Sequence, residues 1–176
     1  MIIENIIKPE TALERQIISD PDFIEGALWG KPRNGHPEGQ VIYHIGDVLK
    51  NIDKMTTSVD REKMRLVAII HDTFKYKVDG TKSKSGENHH AMIARRFAEN
   101  YITDSDILDV IELHDEAYNA WSKGKRHNDW KKAEHRARQL IRRLDGNIDF
   151  FKLFYQCDNA TGDKKSDDYV WFNNIC

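Results

Sequence analysis

The apolar run Leu66-Val67-Ala68-Ile69-Ile70 ends directly on His71-Asp72. A helix that closes its buried stretch on an imidazole and a carboxylate must desolvate both, which costs several kcal/mol unless something pairs with them. A divalent cation is the natural partner, because neutral imidazole and ionised carboxylate together suit borderline-hard metals. The same pattern recurs along the chain. His44 shares a 3.6-residue stripe with Val41, Ile45, Val48 and Ile52. His114 follows Ile107, Val110 and Ile111 in phase, His90 aligns with Ala94, Phe97 and Tyr101, and Asp158 follows Phe151 and Tyr155 by seven and three residues. Any one of these is most simply a hydrogen-bonded core residue or a cap. Five helices that each turn a metal-type ligand inward require a bundle folded around a polar centre.

The rest of the chain agrees with an all-α fold. No β-type alternation of useful length occurs, and 176 residues suffice for one domain with a sizeable core. Thr11 to Ser19 reads as an opening helix stopped at Asp20-Pro21-Asp22, and residues 28–40, with Gly30, Pro32, Gly35, Pro37 and Gly39, as a loop. Helices are expected over 41–56, from a cap at Asp60 to Asp72, and over 88–101, 105–121, 129–145 and 147–159, six to seven in all. The Lys75–Glu87 stretch is too polar to pack and reads as a loop. Charged residues are 32% of the chain in mixed sign, with a net charge of −2, which argues against a surface given over entirely to nucleic acid. No apolar stretch is long enough to cross a bilayer, no secretory leader pattern is visible, and two cysteines make no disulfide framework. A reducing cytoplasm is the expectation.

A histidine, a later His-Asp pair, two further histidines and a distant aspartate on separate helices resemble the HD-domain metal-dependent phosphohydrolases. The likeness extends to Gly35-His36-Pro37-Glu38-Gly39 before Val41-Ile42-Tyr43-His44, which is similar to the entry of the HD domain in some bacterial CCA-adding enzymes. His71-Asp72-Thr73-Phe74-Lys75 resembles the family's His-Asp-x-x-Lys, and Cys157-Asp158-Asn159-Ala160-Thr161-Gly162 its closing Ala-Asp-Ala-x-Gly. The resemblance spans residues 36–162 and implies a single HD-type helical domain over 1–176. Two departures stand out: Thr73-Phe74 replaces the usual Ile-Gly, and His89-His90 leaves the fourth ligand ambiguous, His90 keeping the better apolar phase.

The resemblance implies that His44, His71, Asp72 and Asp158 hold a divalent metal, with Mn, Mg, Fe, Co, Ni and Zn all open. Such an ion lowers the pKa of water toward neutrality and polarises a phosphoryl oxygen. Asp72 is the family's usual choice for orienting the attacking water, and Lys75 stands where it can hold a phosphate oxygen, or simply complement a helix end. His90 and His114 either complete a second metal site or bind phosphate, the reading leaning to one metal. Asp115 is expected to face away from the centre. Asp145 is a second-ranked substitute for Asp158, because Gly146 beside it reads as a helix end.

Trp29, Lys31 and Arg33 before the His44 helix are candidates for lining the pocket mouth, the cations for phosphate and the indole for a base. Residues 123–143 carry nine Lys or Arg against Asp129 and Glu134. That is usually a solvated helix face, and a phosphate backbone is its partner if it binds at all. The expected partner is a small phosphorylated substrate, a nucleotide or an RNA end, with a homo-oligomer open and no membrane. The alternatives are a nucleotide-binding sensor without turnover and a di-iron HD-type oxygenase.

Overall fold

The computed structural model describes residues 2–32, 37–55 and 58–176. Their regular structure is helical throughout, in eleven α-helices: α1 (Ile2–Ile7), α2 (Ala12–Ile18), α3 (Pro21–Ala27), α4 (Val41–Met55), α5 (Ser58–Ile70), α6 (His90–Ala98), α7 (Ser105–Leu113), α8 (Glu116–His127), α9 (Trp130–Leu144), α10 (Ile148–Asn159) and α11 (Asp167–Asn173). Short 3-10 turns cover Thr73–Lys77 and Gly86–Asn88. No helix among the described residues is long and apolar enough to cross a membrane.

The expected six to seven helices were too few, for local reasons. Asp20-Pro21 starts a helix as well as stopping one. Asp20 accepts from the Asp22 N–H and Pro21 occupies the first turn of α3, where its missing donor does no harm. Asp60 lies inside the first turn of α5, which begins two residues earlier. The expected 105–121 helix breaks between Leu113 and Glu116 into α7 and α8.

α4 and α5 form the centre. α4 packs on α1, α5 and α10, and α5 also meets α7 and α10. Val48, Ile52, Met64, Val67, Ile69 and Phe154 are fully or almost fully buried there. The α1–α2 end is tied to α5 by Arg65, whose guanidinium donates to both Glu14 carboxylate oxygens at 2.7 and 3.0 Å and to the Ile7 and Lys8 carbonyls. Glu14 is fully buried, so the pair stands or falls together. α3 meets the 73–77 turn through Gly26, where an added Cβ would lie 1.9 Å from the Thr73 carbonyl oxygen. Only glycine permits that approach, and it seats the turn that follows Asp72.

Candidate metal centre

Two helix ends aim the inner histidines. α5 stops at Ile70 and α7 at Leu113, and the ring that follows each folds back on its own helix. His71 Nδ1 lies 3.0 Å from the Ala68 carbonyl oxygen, and His114 Nδ1 lies 2.8 Å from that of Ile111. A carbonyl only accepts, so both Nδ1 atoms carry the proton and both Nε2 atoms face forward. Those carbonyls are the ones the Asp72 and Asp115 N–H groups would use in a continuous helix. The bond that orients each ring therefore competes with extension of its helix.

His44, on α4, is held differently. The Thr161 hydroxyl donates to the Asp158 carbonyl at 2.7 Å, which leaves its oxygen to accept from His44 Nδ1 at 3.4 Å. Glu38 Oε1 lies 3.8 Å from the same nitrogen. Partners of this kind fix the tautomer and leave Nε2 to ligate.

The Nε2 atoms converge on Asp72 from two sides. His44 Nε2 is 3.2 Å from His71 Nε2, 3.0 Å from Asp158 Oδ1 and 3.6 Å from Asp72 Oδ2. On the other side, His90 and His114 Nε2 are 3.3 Å apart, and each lies 3.3 Å from Asp72 Oδ1. His90 is the inward member of its pair, because His89 serves as N-cap of α6 and accepts from the Ala91 N–H. Asp115 corrects the sequence expectation. The break after α7 ends the helical phase that would have turned it outward, and its carboxylate lies 3.2 Å from His90 Nε2 and 3.5 Å from His114 Nε2.

Two lysines neutralise the carboxylates. Lys75 donates to Asp72 Oδ2, and Lys164 donates to Asp158 Oδ1 at 3.0 Å and to the Asp158 carbonyl at 3.1 Å. Sequence reasoning missed Lys164, which follows the turn after α10 and belongs to no periodic pattern. Burial works against charge on Asp72 and Asp158, yet Lys75 and Lys164 respectively, with the facing histidines, hold both carboxyls well below the usual range. Asp115 is lowered as well: burial opposes ionisation, and His114 and His90 outweigh it. Desolvation pushes His71 down to about 3, so it stays neutral. His114 moves the other way, to about 9, because Asp115 and Asp72 outweigh its burial.

Trp29 lines a cleft with Glu38, Gly39, Val41, His44, Asp72 and Lys75, beside the first cluster. Its loop doubles back tightly: Gly30 has φ +117°, and a Cβ there would meet the Gly39 carbonyl oxygen at 2.6 Å. Lys31 is exposed on that loop and is not among the residues lining the cleft. Arg33, like Gly35 and His36, lies outside the described residues.

Both clusters suit a divalent cation. Ligands about 2.0–2.2 Å from an ion stand roughly 3–3.5 Å apart at tetrahedral to octahedral angles, close to most of the separations above. His44, His71 and Asp72 form one such group and Asp72, His90 and His114 another. The HD-domain profile matches residues 40–146, more than half of the chain, and takes in His44, His71, Asp72, His90 and His114. The chain belongs to the HD-domain family. A search of curated proteins and of solved structures finds no significant match. HD domains are in general metal-dependent hydrolases. The HD-domain match ends at Gly146, with Asp145 inside it and Asp158 beyond it. Geometry separates the two aspartates: Asp145 is exposed at the left-handed end of α9, with φ 31°, whereas Asp158 lies against His44.

Proposed function

We propose that this HD domain is a phosphohydrolase acting on a phosphomonoester or phosphodiester of a nucleotide or an RNA end, with a divalent cation in each cluster. The observation that carries the reading is Asp72, whose two oxygens face different histidine pairs. His44, His71 and Asp158 would complete one site, and His90, His114 and Asp115 the other. Cations held there would acidify water and polarise a phosphoryl oxygen. This arrangement favours two ions over the one toward which the sequence leaned.

The chain's own groups then divide the work. Asp72, ionised and fixed at the centre, orients the attacking water and anchors both halves. Lys75 and Lys164 border the first cluster, where each can exchange its carboxylate for a phosphate oxygen and stabilise charge developing on it. Trp29 stands at the mouth of that cleft, where a base can stack. The two lysines, paired with Asp72 and Asp158 beside the first cluster, support an anionic substrate. The likeness of the His44 entry to that of some bacterial CCA-adding enzymes supports a nucleotide or RNA end as the substrate.

The test is turnover of 4-nitrophenyl phosphate and bis(4-nitrophenyl) phosphate with Mn²⁺, Co²⁺, Ni²⁺ or Mg²⁺, alongside an oxygen electrode. Metal-dependent release of nitrophenol that vanishes in His71→Ala supports the hydrolase. Oxygen uptake with a carbon substrate, or ligand binding with no turnover of any ester, contradicts it.

A further inference from the structure

The basic segment has a directed face. α9 buries Ala133, Ala137, Leu140 and Leu144 and turns an adjacent face toward α8. Lys123, Lys132, Arg136 and Arg143, with Lys84 and Arg142, line three adjoining surface hollows between α8 and α9 and along α9; the hollows share Lys123, Arg136, Gln139 and Arg143 and together make a basic groove. Only Glu112, Glu116 and Asp129 oppose these six cations there, in a chain whose formal net charge is −2. Glu116 and Glu112 fix Arg136 at 2.9 Å and Arg143 at 2.7 Å. Lys84, Lys123, Lys132 and Arg142 have no ion-pair partner among the described residues. Other basic residues of the same segment point elsewhere: Lys125 lies over the Trp121 ring, and Arg126 donates to Ser122.

The groove leads to the histidines. His89 and Met92 line one end, and the His89 ring lies 4.5 Å from that of His90, which faces the second cluster. From Lys132 to Arg143 the groove follows about 16 Å of helix, more than one nucleotide can span. Leu113, Ala120 and Ala133 lie buried beneath it, so what the groove offers a ligand is its row of cations.

We propose that this groove binds a single-stranded nucleic acid through its phosphates, without sequence readout, and delivers one end of the strand to the His90–His114–Asp115 side of the centre. The proposal rests on the hydrolase reading for its purpose, but binding is measurable without turnover. Four unpaired cations on a strand give a slope of log affinity against log salt of about −3.

The probe is a labelled single-stranded RNA of roughly twelve nucleotides, within the usual site size for strand binders, followed by anisotropy with the full chain in EDTA. Lys123→Glu with Lys132→Glu, both exposed, should weaken binding at least tenfold, while Lys131→Glu with Arg138→Glu, outside the groove, should change it by less than about twofold. Arg142→Glu alone gives a second reading should the first pair fail to fold. Equal loss in both pairs, no loss in the groove variants, or displacement by inorganic polyphosphate as effective as by RNA would overturn the proposal. Failure of wild-type protein to cleave nitrophenyl esters would instead strike the hydrolase reading and leave strand binding standing.

Discussion

Lys164→Met isolates the part of the site that sequence reading did not reach. Lys164 Nζ is 3.0 Å from Asp158 Oδ1, and the two side chains are 22% and 14% exposed. At an effective dielectric near 20 the bare attraction over that distance is about 5–6 kcal/mol. Desolvation of the ammonium offsets most of it, and partial exposure screens the rest, leaving about 1–3 kcal/mol for the metal-free protein. For a domain of this size that is roughly 3–10 °C in Tm. A divalent cation ligated by Asp158 supplies the missing positive charge, so the gap between variant and wild type should shrink when Mn²⁺ is added. Differential scanning fluorimetry with EDTA and with saturating Mn²⁺ reads both numbers. Equal melting in EDTA, or a gap that metal leaves unchanged, refutes the reasoning.

Three further outcomes follow from the packing and the ligand geometry. Gly26→Ala forces a Cβ against the Thr73 carbonyl, so stability should fall by about 1–3 kcal/mol or more and kcat should drop as the Asp72–Lys75 turn shifts; urea melts and ester turnover check both. Arg65→Met strands the buried Glu14 carboxylate and should cost about 3–5 kcal/mol, most of it recovered by adding Glu14→Leu, as chemical denaturation would reveal. Asp158→Ala should abolish ester hydrolysis, while Asp145→Ala, at an exposed helix end, should keep near-wild-type turnover with at most a modest loss of stability.

Side-chain periodicity made much of the centre legible. His44 falls on the apolar stripe of α4, and His71, His90, His114 and Asp158 sit in phase with residues that the structure buries, such as Val67, Ala94, Ile111 and Phe151. The same reasoning failed where a helix stopped. Continuing the rotation of α7 would turn Asp115 outward, but the His114 ring takes the Ile111 carbonyl at 2.8 Å and the chain turns. Lys164 and Gly26 carry no local signal at all. Each matters through a neighbour distant in sequence or across a turn, Asp158 in one case and Thr73 in the other. The short helices α1 and α3 hold too few residues to show a period, and Asp20-Pro21 reads equally well as a stop and as a start.

The central claim is that Asp72 joins two cation sites, and metal stoichiometry tests it most directly. Equilibrium dialysis against Mn²⁺, followed by elemental analysis, should give two equivalents per chain for wild type. The His90→Ala, His114→Ala double variant should keep one equivalent, and Asp72→Ala should retain neither at wild-type affinity. A single equivalent in wild-type protein, unchanged in the double variant, would contradict the account and return His90 and His114 to the role of hydrogen-bond donors to the phosphate around one ion.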